Sequence, residues 1–291
     1  MSDLSPSSSG EPNNWDEILT LARTYQYDRY LAATLSPRSA RADLIVLAAF
    51  AGEMRRIPWT VSDPTIGMIR LQWWRDCLTA GAQTTSGNPL ADTLNEIVVR
   101  RKLPPGLLIG HIDAQELELY ADLVEDMDQL RLHFIKRESG LFQLAALILG
   151  RGDSIPEIDR GACAYGLAKS IAEFAFRQNG RQLLVPGDLA STHGVEPGKL
   201  LAGEADGAVP SRAHALLAEL SVTAISDYQV FRDALGSNAK KVFGAILPVT
   251  LTPSYARTAK SPFDAANISN MGPGNFAKSC QMLLAYLRGK I

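Results

Sequence analysis

The sequence predicts an all-α fold, and two observations carry that expectation. Wherever periodicity can be read, apolar residues recur at helical spacing, and candidate strands are almost absent, Leu183–Val185 being too short to count. No linker is long enough to separate two domains, so residues 15–291 are expected to form a single orthogonal bundle of roughly a dozen helices. Residues 1–14 are Ser- and Pro-rich with no apolar run, and are expected to be a disordered tail.

Taken in order, the first helix is expected near 15–34. Leu47, Phe50, Met54 and Ile57 then form a 3-4-3 stripe that Pro58 should stop. Ser62 or Asp63 is placed to cap the next helix, with Pro64 suited to its first turn. Further helices are expected near 89–102, 113–128, 130–149, 156–178, 211–234 and 273–288. Loops fall at Gly81–Pro89, Gly180–Asp188, Gly203–Pro210 and Thr250–Gly274.

Composition excludes several functions. The chain is 46% hydrophobic and 21% charged with a formal net charge of -2, so it offers no broad basic field for nucleic acid. Cys77, Cys163 and Cys280 are far apart and read as free thiols in a reducing compartment. The four histidines show no zinc spacing. No apolar run approaches the ~20 residues that span a bilayer, which leaves peripheral membrane contact open. With no signal or presequence character at the N-terminus, the expectation is a bacterial cytoplasmic protein, with the inner-membrane surface as a second location.

Three segments carry candidate chemistry. In Ile66–Cys77, Ile66, Ile69, Trp73 and Cys77 form one helical stripe, and Gly67, Leu71, Trp74 and Leu78 form its neighbour. Arg70 falls inside this apolar arc, where a guanidinium needs an anionic partner; a structural ion pair and a ligand contact are both open. In Tyr165–Arg177, Lys169, Glu173 and Arg177 share a helix face at i, i+4, i+8. The spacing alone reads as an exposed ladder. The third segment, Gly180–Asp188, is a helix exit and turn. The acidic run Glu116–Asp128, with Glu118, Asp122, Glu125 and Asp126, reads as a solvated helix face.

In order and separation these segments resemble the squalene/phytoene synthase family. The marks are Tyr30-Leu-Ala-Ala-Thr-Leu, Pro37-Arg, Leu47-Ala-Ala-Phe50, Ile69-Arg-Leu-Gln-Trp-Trp-Arg75 and Arg181-Gln-Leu-Leu-Val-Pro186. The resemblance implies the isoprenoid synthase fold with a central cavity. It also implies two facing acidic motifs that hold magnesium against prenyl diphosphates, because magnesium takes hard oxygen ligands. Carried over, the first motif falls on Arg55, Arg56 and Trp59, and the second on Glu173 and Arg177. A dication ~5 Å from one guanidinium is repelled by roughly 6–7 kcal/mol at an effective dielectric of ~20.

The strings Val61-Ser-Asp-Pro-Thr-Ile-Gly67, Pro186-Gly-Asp-Leu and His193-Gly-Val195 resemble a degenerate branch of the family, the complex I assembly-factor type. The resemblance therefore implies a non-catalytic scaffold with no cofactor. Its partners would be a prenyl diphosphate or lipid, or a subunit of a respiratory complex. The pocket would be drawn from Arg55, Arg56, Trp59, Arg70, Trp73, Trp74, Lys169, Glu173 and Arg177. The alternative is an active prenyltransferase with an atypical magnesium site built from at least two of Glu53, Asp63 and Glu173.

Overall fold

The computed structural model describes residues 14–120, 124–152, 155–173, 184–196, 209–236, 239–260 and 272–291. Among them the fold is helical, and the one extended pairing is a single parallel bridge between Val124 and Pro186. The helices are α1 (Asn14–Tyr25), α2 (Tyr27–Thr34), α3 (Arg38–Thr60), α4 (Pro64–Ala80), α5 (Pro89–Arg101), α6 (Pro105–Ala114), α7 (Glu116–Leu119) and α8 (Met127–Ile148). After these come α9 (Ile158–Glu173), α10 (Gly187–Thr192), α11 (Val209–Leu235), α12 (Ala239–Ile246), α13 (Thr252–Ala256) and α14 (Asn275–Arg288). Short 3-10 turns bracket α13. Of the expected tail, residues 1–13 lie outside the described residues and Asn14 opens α1.

Local chemistry explains the helix starts. Asp63 accepts the Thr65 amide at 2.8 Å and Pro64 occupies the first turn of α4, so Asp63 rather than Ser62 is the cap. Asn88 followed by Pro89 does the same for α5, and Asp126 caps α8 through the Gln129 amide.

Four expectations change. Helix α3 continues two residues beyond Pro58, because a proline in the last turn removes a single backbone bond near the helix end. The segment 15–34 divides at Gln26, whose backbone (φ -138, ψ 47) is not helical. Instead of one helix over 113–128, the chain leaves α7 at an extended Tyr120 and restarts at the Asp126 cap. Thr250–Gly274 is not wholly loop, since α13 and the turn that follows it occupy 252–260.

Helix α9 organises the interior. Every residue from Gly161 to Ala172 is buried, and the helix packs against α8, α11 and α13. A helix enclosed on all sides belongs to the centre of a bundle. Gly166 permits the close approach of α8: a Cβ there would stand 2.7 Å from the Phe134 ring. Helix α3 packs against α1, α2, α5 and α8 and carries the stripe Leu47, Phe50, Met54 and Ile57, all fully or nearly fully buried.

Candidate functional site

The middle of the bundle is ionic. Asp28, on α2, is 1% exposed, and its Oδ2 accepts hydrogen bonds from the Tyr165 hydroxyl at 2.8 Å and the Tyr255 hydroxyl at 2.6 Å. The Lys169 ammonium stands 3.6 Å from the same oxygen, and that of Lys278 stands 3.3 Å from Oδ1. Lys169 also donates to the Tyr165 hydroxyl at 3.0 Å, so that hydroxyl accepts one proton and donates another. Burial by itself would raise the Asp28 pKa. The two lysines and two hydroxyls outweigh it and hold the carboxyl well below the usual range. Burial lowers the Lys169 pKa, only partly opposed by Asp28 and Glu173.

A second chain of charges runs beside the first. Arg29 donates to Glu138 at 2.5 Å, and Arg137 donates to Glu138 at 3.0 Å and to Glu118 at 2.7 Å. The guanidiniums of Arg29 and Arg137 lie 4.5 Å and 4.8 Å over the rings of Phe142 and Phe134, which replace part of the water they have lost. Burial would raise the pKa of Glu138, but Arg29 and Arg137 bring it down to about 2. The His111 ring Nδ1 lies 2.6 Å from the Arg137 carbonyl oxygen, which only accepts, so Nδ1 carries the proton of the neutral ring. Burial holds His111 down to about 4.

Across the gap between α3 and α9, Arg55 donates to Glu173 at 2.5 Å, and its guanidinium lies 4.9 Å over the Trp59 ring. Burial would lower the Arg55 pKa; the Glu173 carboxylate reverses the shift and raises it. Toward the edge of the molecule Glu53 answers two arginines at once, Arg56 at 2.7 Å and Arg70 at 2.8 Å, and Arg70 also donates to the Thr60 hydroxyl.

The model of the squalene/phytoene synthase family matches residues 22–265, most of the chain. The chain belongs to the squalene/phytoene synthase family. Its curated relatives include assembly factor 6 of NADH dehydrogenase (ubiquinone) complex I. The rat protein is 28% identical over 194 residues, covering 65% of this chain and 58% of the rat protein. The human protein is 27% identical over 203 residues, covering 67% and 60%. The matched region thus spans about three-fifths of these relatives. Solved structures share the fold: squalene synthase from Alicyclobacillus acidocaldarius has a TM-score of 0.67 at 15% identity, with 86% of this chain and 95% of that one covered. A ligand-bound dehydrosqualene synthase has a TM-score of 0.68 at 13% identity, with 94% and 96% covered.

In this squalene/phytoene synthase family member the candidate residues divide into two places. Arg55, Trp59, Lys169 and Glu173 belong to the inner network; Arg56, Arg70 and Trp73 lie toward the surface, and Arg177 lies outside the described residues. Trp74 is buried edge-on to Phe50, whereas Trp73 is 37% exposed. Of the two α4 stripes, the one with Gly67, Leu71, Trp74 and Leu78 is buried, and Ile66 and Ile69 face outward.

Two sequence expectations reverse here. The Lys169–Glu173 face points inward, because α9 is enclosed on every side. Glu118 is likewise no part of a solvated face: its side chain is 5% exposed and binds Arg137. Sequence reading missed Asp28, Arg29, Arg137, Glu138, Tyr255 and Lys278. A signal existed for two of them, since Arg137 and Glu138 stand at i+3 and i+4 from Phe134 and lead to Leu141, on an otherwise apolar stripe. A separate groove of about 560 Å³ between α11 and α13 is lined by Val222, Ile225, Pro253 and Arg257, among others, and includes none of the candidates.

Proposed function

We propose that this chain is a non-catalytic member of the family, a metal-free helical scaffold that serves the assembly of respiratory NADH dehydrogenase. One observation carries the reading: the Arg55–Glu173 ion pair ties α3 to α9, at the positions where the family pattern would put acids facing each other. A divalent cation does not fit these residues. It would have to displace Arg55 from Glu173 and then sit beside a guanidinium, and charge repulsion of that size outweighs a single carboxylate ligand. The names of the curated relatives supply the assembly half of the proposal. On this reading the chain works in the bacterial cytoplasm, at the inner membrane.

Nothing in the geometry favours an active prenyltransferase or a direct arginine clamp on a diphosphate. An atypical magnesium site would need at least two of Glu53, Asp63 and Glu173 to converge, yet Glu53 answers Arg56 and Arg70, Asp63 caps α4 and Glu173 holds Arg55. An arginine clamp for a diphosphate would need Arg55, Arg56 and Arg70 to leave those same carboxylates.

The test is incubation with farnesyl or geranylgeranyl diphosphate and magnesium, with product analysis for coupled hydrocarbon. No product is expected, and steady turnover would end the non-catalytic reading. Deleting the gene from its source organism should lower the amount of assembled NADH dehydrogenase. An unchanged level would remove the assembly role.

A further inference from the structure

Helix α14 turns much of its apolar surface outward. Its polar side chains face the protein: Lys278 reaches Asp28, Ser279 bonds the Tyr27 hydroxyl at 3.1 Å, and Gln281 donates to the Thr250 carbonyl at 2.7 Å. Met282 is its one fully buried side chain, while most of its other large apolar side chains face out: Phe276 is 84% exposed, Leu287 72%, and Leu283 and Leu284 nearly half. At 100° per residue Phe276, Leu283 and Leu287 fall on one stripe, with exposed Cys280 between them and Leu284 beside it. A soluble helix normally shows the opposite arrangement.

Charge identifies the partner. From Gly272 to Ile291 there is no Asp or Glu, although the chain as a whole has a formal net charge of -2. Arg288 and Lys290 are exposed at the end of the stripe. An outward apolar stripe bordered by cations and free of acidic side chains is the pattern of a helix lying in the plane of an anionic lipid interface. Among the described residues no helix is long and apolar enough to cross a membrane, so contact would be from one side. We propose that the outward face of α14 docks on an anionic bilayer surface, with Phe276, Leu283 and Leu287 entering the acyl boundary and Arg288 and Lys290 meeting lipid phosphates. A second copy of the chain fits less well, since this segment supplies no carboxylate to answer those cations. The Lys278–Asp28 bond latches α14 to the central ionic network and so fixes which face it turns outward. This inference does not depend on the proposed assembly role.

The test is co-sedimentation of the full chain with phosphatidylcholine vesicles, with and without phosphatidylglycerol. Binding is expected to the mixed vesicles and to weaken as salt is raised. The double substitution Phe276→Ser with Leu287→Ser should weaken partitioning about 100-fold. Reversing both cations (Arg288→Glu with Lys290→Glu) should weaken it about tenfold or more. All four side chains are exposed, so melting temperature should stay near that of the parent. Failure to bind mixed vesicles, or binding undiminished by the apolar substitutions, would overturn the proposal. So would a lipid-free dimer that the same substitutions abolish, since a second copy would then own this face.

Discussion

Asp28 and Glu53 are both carboxylates that answer two cations, and they stand in different surroundings. Around Asp28 most of the partners are out of water: the hydroxyls of Tyr165 and Tyr255 and the ammonium of Lys169 are buried, Lys278 is 16% exposed, and all four converge from α9, α13 and α14 on one side chain of α2. Around Glu53 the two arginines remain about one-third exposed, at 34% and 35%, and come from neighbouring turns of α3 and from α4. Coulomb attraction is several-fold stronger in the first place, and so is the cost of removing one partner. The inner cluster is therefore a structural joint among four helices, and the outer one is an adjustable surface contact. Arg55–Glu173 stands between them, with side chains 18% and 19% exposed.

Four measurements sharpen or break that contrast. The largest effect is expected from Asp28→Ala, which strands the buried Lys169 and the mostly buried Lys278 and should lower unfolding stability by about 3–5 kcal/mol in denaturant melts. A loss below about 1 kcal/mol, the size of a surface pair, would erase the distinction.

Acid should act next. His111 is held at about 4 instead of 6.5, so the folded state favours the neutral ring. Its contribution is complete above pH 6.5 and is lost as pH falls toward 4, amounting to about 3 kcal/mol in order of magnitude. Glu138, held at about 2 instead of 4.5, extends the loss below pH 4.5. Melts as a function of pH should therefore fall in two stages. His111→Gln should flatten the first stage; a variant that keeps the full slope between pH 6.5 and 4 would show that another group titrates there.

For the intermediate pair, Glu173→Gln leaves Arg55 mostly buried without its carboxylate and should cost about 2–3 kcal/mol. The exchanged pair Arg55→Glu with Glu173→Arg should recover part of that loss, and no recovery would mean that the two side chains are not coupled. Arg70→Ala should do least, under about 1 kcal/mol, since Glu53 keeps Arg56 and water reaches the rest.

Much of the fold was legible because its signals are local. Asp63-Pro64 and Asn88-Pro89 mark helix starts by chemistry that acts over two or three residues, and the family that the motif strings resemble is the one whose model matches residues 22–265. The facing of α4 was not legible, because both of its arcs are apolar and periodicity finds a helix without saying which side is covered. Lys169 was misplaced for the opposite reason: at i, i+4 from Glu173 it looks like a surface ladder, and only the enclosure of α9 turns it inward.

The helical class, the Asp63 cap of α4 and the family were thus legible in the order of residues along the chain. Which ions meet was decided elsewhere. Arg55 and Glu173 lie 118 residues apart, and Tyr255 and Asp28 lie 227 apart. Charge pairs depend on distance in space and on the exclusion of water, and both exist only once α2, α3, α9 and α14 have packed together.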